Sequence, residues 1–125
     1  IEDVPDTLAT LAQLRSLGVT LTIDDFGEGY SALNYLRRLP IDGVKISHAF
    51  MQGVPGDPAD AAVCEAIVRI ARSLGLEVTA EGVEHTAQRD FLVALGTPLA
   101  QGFLYSRALA PERFVAFCER WPRPA

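Results

Sequence analysis

The feature that most constrains the fold is a residue pattern that occurs three times along the chain. Each copy has apolar residues at helical spacing, a Leu-Gly pair, a short apolar run and a polar residue, as in LAQLRSLGVTLTIDD, AIVRIARSLGLEVTAEG and FLVALGTPLAQG. A fourth apolar run, at residues 43–46, follows the helix-like stretch YSALNYLRRL and the breaker Pro40. Because parallel strands need crossover helices between them, this alternation predicts an α/β fold with a parallel sheet.

The middle copy shows where its helix begins and ends. Asp57 followed by Pro58 is typical of a helix start, and Gly75 is typical of the left-handed residue that follows a helix. The apolar residues between them recur at steps of three and four, so they are predicted to share one helical face: Cys64, Ile67, Val68, Ala71 and Leu74.

Polar residues stand within each predicted strand or directly after it. Gly18 and Gly96 hold the place of Gly75 in the other two copies, and each precedes a β-like run, at residues 19–23 and 98–100. The polar residues at the ends of the four runs are Asp24 and Asp25, then Lys45, Glu81 and Gln101. Since the carboxyl ends of the strands form the active-site face of a (β/α) barrel, these side chains are expected to meet at one rim.

The chain has about half the length that such a barrel requires. An eight-stranded barrel typically needs about 250 residues, whereas this chain has 125 residues and about four strand–helix units. We therefore predict half of a (β/α)8 barrel, which begins with a helix as though a strand preceded it.

Composition and charge narrow the range of partners. The net charge of −5 comes with no basic run, which argues against an extended nucleic-acid polymer and leaves a small phosphate ligand held through metal ions. The two cysteines, Cys64 and Cys118, form no Cys-x-x-Cys pair, and this sparse use of cysteine fits a reducing cytoplasm. No apolar stretch approaches the roughly 18–20 residues that span a bilayer, so this segment is expected to make no membrane contact.

Three motifs resemble the second half of the EAL domain, the bacterial phosphodiesterase that linearises cyclic di-GMP. They are TIDDFGEGYSALNYLRRLPIDGVKI, VTAEGVEHTAQ and AQGFLYSRAL, and the resemblance extends from about Leu8 to Phe117. It implies a modified TIM barrel that hydrolyses one phosphodiester bond of cyclic di-GMP to give linear pGpG. Residues 1–125 would then be the C-terminal half of that domain, without its Glu-Ala-Leu signature and the upstream metal ligands.

The resemblance also implies roles for individual residues. Asp24 and Asp25 match metal ligands for two Mg²⁺ or Mn²⁺ ions, and Lys45 and Glu81 match catalytic residues. Gln101 matches a substrate-binding glutamine of the last strand. The segment that supports the metal site and lies at the dimer interface in that family matches Phe26, Gly27, Glu28 and Gly29, and a second glutamate of the strand-end motif matches Glu84.

Several alternatives remain open at this stage. The adjacent aspartates also fit an ordinary turn, Lys45 fits a solvated position on an edge strand, and Glu81 or Glu84 could cap a helix. Ser47 and Glu28 depart from the family's usual residues, which keeps open a degenerate domain that binds cyclic di-GMP or a partner protein without hydrolysis.

The partial domain has its own expected properties. Because it lacks some metal ligands and leaves sheet edges uncovered, the isolated chain is expected to be inactive and to pair with a second copy. The parent protein is expected to act in the cytoplasm, with a possible membrane tether, and to carry a GGDEF or sensor domain.

Overall fold

The computed structural model describes residues 4–27, 36–97 and 99–122. Within them, four strands form one parallel sheet in sequential order: β1 (Thr22–Phe26), β2 (Gly43–Ile46), β3 (Glu77–Glu81) and β4 (Leu99–Gln101). The helices are α1 (Val4–Ser16), α2 (His48–Met51), α3 (Pro58–Ser73), α4 (Thr86–Leu95) and α5 (Pro111–Arg120). The predicted alternation of helix and strand, with parallel pairing, is confirmed.

The two faces of the sheet differ in composition. Val44, Ile46 and Ala80 are fully buried, and α3 packs against β2 and β3 on their side of the sheet. The alternate residues of the same strands, including Lys45, Thr79 and Glu81, are only partly buried and point to the opposite face. The apolar core therefore lies between the sheet and the helices, and polar side chains occupy the other face.

The signals at the ends of α3 have their predicted effect. The carboxylate of Asp57 accepts hydrogen bonds from the backbone N–H groups of Ala59 and Asp60, at 2.8 and 3.3 Å, and Gly75 has a φ of 72°. Four of the five residues predicted on the apolar face are buried: Cys64, Ile67, Val68 and Ala71. The prediction was wrong for Leu74, which is 42% exposed because it lies beyond the last helical turn.

The first strand begins later than the sequence predicts. We expected residues 19–23, whereas β1 is Thr22–Phe26 and includes both aspartates. Asp42 explains the difference, because its carboxylate accepts the backbone N–H of Leu21 at 2.8 Å, and its own N–H donates to the Leu21 carbonyl at 2.7 Å. Together with the bond from the Gly43 N–H to the same carbonyl, at 3.2 Å, these bonds anchor Leu21 directly before the ladder, whose first pair is Thr22 and Gly43.

Two other predicted elements fall partly outside the described residues. The helix expected from YSALNYLRRL lies largely in residues 28–35, and Pro98 is outside them as well. None of the helices in the described part of the chain has the length and apolar character needed to cross a membrane.

The architecture is that of half a TIM-like barrel. Four parallel strands follow one another in spatial order, and helices lie between β2 and β3 and between β3 and β4, whereas residues 28–35 of the β1–β2 connection are outside the described residues. In a (β/α)8 barrel the same unit is repeated eight times, with helices outside and an inner face that carries the functional groups at the carboxyl ends of the strands. The predicted fold class is therefore confirmed.

The buried thiol of Cys64 leads to a testable difference between the two cysteines. Burial, assisted by the nearby carboxylate of Asp60, raises the pKa of Cys64 to about 11, whereas Cys118 is exposed on α5. Because the thiolate is the reactive form, at pH 8 we expect a disulfide reagent such as DTNB to modify one thiol per native chain rapidly. The Cys118→Ser variant should show almost no fast reaction until denaturant is added, and two fast thiols in the native wild type would contradict this assignment.

Candidate active site

A β-bulge in β1 determines the geometry of the site. Thr22 pairs with Gly43 and Ile23 with Val44, but the next pair joins Phe26 to Ile46. Two residues of β1, Asp24 and Asp25, therefore lie opposite the single residue Lys45 of β2. An extra residue on one strand is what defines a β-bulge, and bulges are frequent next to active sites.

The bulge removes the conflict between two adjacent aspartates and a strand of period two. In a regular strand, neighbouring side chains point to opposite faces, so one aspartate would enter the apolar core. Here Asp25 adopts a φ of 52°, in the left-handed region, and its backbone N–H donates to the carboxylate of Asp24 at 2.8 Å. Phe26 then returns to the core face and is 4% exposed.

A trace of this bulge was present in the sequence. Ile23 and Phe26 are both core residues of one strand, yet they stand three positions apart, whereas residues on one face of a regular strand are separated by an even number. The sequence prediction placed both aspartates after the strand and so missed the extra residue. The structure places them inside the strand.

Three carboxylates come together at this end of the sheet. Asp24, Asp25 and Glu81 each offer one carboxylate oxygen, and these oxygens lie within 4.8 Å of one another. Both aspartates are exposed and Glu81 is partly buried. Hard divalent cations prefer such oxygen donors, so the donor set fits Mg²⁺ or Mn²⁺. The alternative of an ordinary surface turn does not account for this convergence.

Lys45 reaches the same place from the middle strand. Its Nζ lies 3.2 Å from Oε1 of Glu81, with 30% of its side chain and 17% of the glutamate side chain exposed. Lys45 pairs with Thr79 across β2 and β3, and Glu81 follows on the same face two residues later. Because β2 lies between β1 and β3, the edge-strand alternative for Lys45 was wrong.

The charge of this group favours a cation. Three carboxylates face one ammonium group, so the cluster keeps an excess of negative charge in the ligand-free protein. Repulsion between like charges at such short range is offset when a divalent cation binds among them. The geometry therefore provides both oxygen ligands and an electrostatic reason for an ion to bind.

Gln101 and Glu84 are not members of this cluster. Gln101 ends β4 in register with Glu81, is exposed and lines a groove of about 920 Å³ beside α5. Glu84 is exposed in the loop after β3. The capping alternative for Glu81 and Glu84 was wrong, since the N-cap residue of α4 is His85.

The predicted supporting loop is described only in part. Phe26 ends β1, and Gly27 follows with a φ of 102° and its backbone against the ring of Phe50, where a side chain would have no space. Glu28 and Gly29 lie outside the described residues.

Comparisons with known proteins agree on one family. The family model of the EAL domain matches residues 1–108. The chain is 45% identical over 116 residues to the bifunctional diguanylate cyclase/cyclic di-GMP phosphodiesterase MucR of Pseudomonas aeruginosa, covering 93% of this chain and 17% of MucR. The solved c-di-GMP complex of the PaMucR phosphodiesterase superposes with a TM-score of 0.85 at 45% identity, over 91% of this chain and 46% of that one.

Two further structures extend the comparison. The EAL domain of Mycobacterium smegmatis DcpA superposes with a TM-score of 0.92 at 35% identity, over 99% of this chain and 56% of that one. The manganese/cy-diGMP complex of Klebsiella pneumoniae BlrP1 has a TM-score of 0.73 at 38% identity, over 79% of this chain and 25% of that one.

The extent of these matches is itself a finding. The family match covers most of the chain, whereas the chain spans 17% of the length of MucR and about half of the solved EAL domains. The resemblance first indicated by the sequence motifs is thereby confirmed. The chain belongs to the EAL domain family.

Proposed function

We propose that this chain is part of a cyclic di-GMP phosphodiesterase that hydrolyses its substrate to linear pGpG. One observation supports this more than any other: carboxylate oxygens of Asp24, Asp25 and Glu81 lie within 4.8 Å of one another, and Lys45 lies 3.2 Å from Glu81. The named phosphodiesterase relatives and the solved cyclic di-GMP complexes support cyclic di-GMP as the substrate. Function within a fold follows from such sites rather than from the fold itself.

Asp24 and Asp25 are the proposed ligands of two Mg²⁺ or Mn²⁺ ions. When bound, two such ions activate a water molecule and stabilise the leaving oxygen of an in-line displacement. The bulge serves this role because it turns two consecutive carboxylates toward the polar face without moving Phe26 out of the core.

Glu81 and Lys45 are the proposed catalytic pair. The Glu81 carboxylate accepts a proton from the attacking water while the water oxygen bonds to phosphorus and the bond to the ribose oxygen breaks. That leaving oxygen takes up a proton from solvent, which gives the linear product. The ammonium group of Lys45, 3.2 Å from Glu81, orients the carboxylate and offsets negative charge on the phosphate.

The remaining proposed roles surround this pair. Gln101 binds substrate from the end of β4, and Glu84 supports the site from the loop after β3. The segment Phe26, Gly27, Glu28 and Gly29 supports the metal site and contributes to a homodimer interface. The parent protein acts in the cytoplasm, which the free cysteines of this chain, Cys64 and Cys118, favour, and it carries a GGDEF or sensor domain.

The alternative of a degenerate, non-catalytic receptor gains no support from Ser47. This residue is 1% exposed, and its hydroxyl oxygen accepts the backbone N–H of Ala49 at 3.2 Å as the N-cap of α2. The family's usual residue at this position is aspartate, and serine and aspartate are both favoured at N-caps, so Ser47 is compatible with the same local structure.

Hydrolysis assays on the full-length parent protein test the proposed function directly. We expect conversion of cyclic di-GMP to pGpG with Mg²⁺ or Mn²⁺, and its loss with chelator. Glu81→Gln and Asp24→Asn should each lower kcat by about 100-fold or more, because each removes a charge used in the transition state. Glu77→Gln, at the opposite end of β3, is the matched control and should leave kcat unchanged. Tight binding by wild type without turnover would favour the receptor alternative instead.

The left-handed residue in the bulge gives a second prediction, which concerns stability. With chelator present, Asp25→Gly should raise the free energy of unfolding by about 1 kcal/mol, since glycine adopts a positive φ without steric cost. Asp24→Gly removes the same charge at a position without a positive φ and also removes the acceptor of the Asp25 backbone N–H, so it should lower the free energy of unfolding by about 0.5–1 kcal/mol or more. Urea unfolding followed by circular dichroism measures both, and equal destabilisation by the two variants would argue against strain at Asp25.

The isolated chain provides a third prediction. Among the described residues the carboxylate cluster contributes three oxygen ligands, whereas Mg²⁺ is usually six-coordinate and two ions need more. We expect the 125-residue chain to hydrolyse cyclic di-GMP at less than about 1% of the rate of the full-length protein.

The isolated chain should also self-associate, because its polar sheet face is open and it exposes apolar residues such as Phe103 and Phe114. Metal-dependent turnover near the full rate, or a monomeric mass at micromolar concentration, would show that these expectations are wrong.

A further inference from the structure

We infer that Gln88 is a positioning residue, which holds the loop of residues 82–85 and through it fixes Glu81 relative to Gln101. This inference rests on the proposed phosphodiesterase function and adds to it a residue that touches neither substrate nor metal. Gln88 lies in the first turn of α4, at the position of the glutamine in a capping box with His85, and it is the last residue of the motif VTAEGVEHTAQ, in which no role was predicted for it.

The side chain of Gln88 is buried and bonded at both ends. It is 4% exposed, and its Oε1 accepts the backbone N–H groups of Glu84 and His85 at 2.7 and 2.9 Å. Its Nε2 donates to the carbonyl of Met51, at the end of α2, at 2.6 Å. One amide group therefore joins the loop after β3 to a helix that is distant in sequence.

The rest of the 82–85 loop is held by backbone contacts. Val83 is fully buried; its N–H donates to the carbonyl of Gln101 and its carbonyl accepts the N–H of Leu104, both at 3.0 Å. The backbone of Gly102 lies directly against that of Val83, with no space for a side chain. The loop thus connects the strand that ends in Glu81 with the strand that ends in Gln101.

The Gln88 amide is the side-chain contact that holds this loop, so a substitution can remove it. The bonds of Val83 are made by its backbone, so a side-chain substitution at Val83 would not remove them. Loss of the Gln88 amide, in contrast, leaves three backbone groups without their partner: the N–H groups of Glu84 and His85 and the carbonyl of Met51. A buried polar group without a partner costs about 1–3 kcal/mol, so the loop would shift to find another. A shift of about 1 Å at a catalytic group can lower the rate by about 100-fold, and a smaller one by less.

Substitution of Gln88 by glutamate tests separately the bonds made by the two atoms of the amide group, the Oε1 acceptor and the Nε2 donor. Gln88→Glu keeps an oxygen acceptor for Glu84 and His85, and a charged acceptor forms the stronger bond. It also replaces the donor to Met51 by a second acceptor, so that bond is lost. Gln88→Ala loses both.

The test compares Gln88→Ala and Gln88→Glu in the full-length protein, with Gln13→Ala on the exposed face of α1 as the matched control. We expect Gln88→Ala to speed amide hydrogen exchange at Glu84 and His85 by at least about tenfold and to lower kcat per folded molecule by about tenfold. KM should stay within about twofold, because substrate contacts remain. Gln88→Glu should restore slow exchange at the two amides and recover part of kcat, and Gln13→Ala should resemble wild type.

Other outcomes distinguish failure of the Gln88 inference from failure of the proposed phosphodiesterase function. A Gln88→Ala protein with fast exchange but unchanged kcat would make Gln88 a structural residue only and overturn the inference. Unchanged exchange at both amides would overturn it as well. A wild-type protein that does not hydrolyse cyclic di-GMP would instead overturn the proposed function, and the exchange measurement alone would then decide whether Gln88 holds the loop.

Discussion

The parallel register of the four strands is the constraint on which the site depends. Hydrogen bonding pairs β2 with β3 and β3 with β4 residue by residue, so the carboxyl ends of these strands lie at the same level. Burial of one face against α3 then decides which residues can be polar, since alternate positions belong to the core. Lys45 and Glu81 meet because both stand on the free face near the end of this register.

The bulge in β1 is the one departure from this regularity, and it is local. It adds one residue between Ile23 and Phe26, both of which keep their places facing the helices. Two unfavourable features occur together here: the left-handed backbone of an aspartate and the repulsion between two adjacent negative charges. A bound cation would offset the repulsion. Local strain of this kind is common at functional sites, since selection for a ligand can outweigh selection for stability.

Much of the fold could be predicted from the sequence because its signals are local. Helical periodicity and the caps Asp57 and Gly75 define α3, and the repeated helix-then-strand order defines the parallel sheet. The start of β1 could not be predicted, because a long-range contact from Asp42 to Leu21 determines it. The candidate site residues were predicted from their positions at strand ends and from family resemblance, without knowledge of how two adjacent aspartates could share one face. Gln88 ends the motif VTAEGVEHTAQ, but its role could not be predicted, because the bond from its amide to the carbonyl of Met51 is a long-range contact.

The bulge also has an evolutionary consequence. A regular β1 paired with β2 would need one residue fewer between Ile23 and Phe26, because β2 has only Lys45 between Val44 and Ile46. Loss of a single codon at this point would leave the apolar core in register while it removes one of the two adjacent carboxylates. If the proposed ion site is correct, one such deletion would remove a metal ligand and keep the scaffold, so loss of catalysis in such a domain would not require loss of the fold.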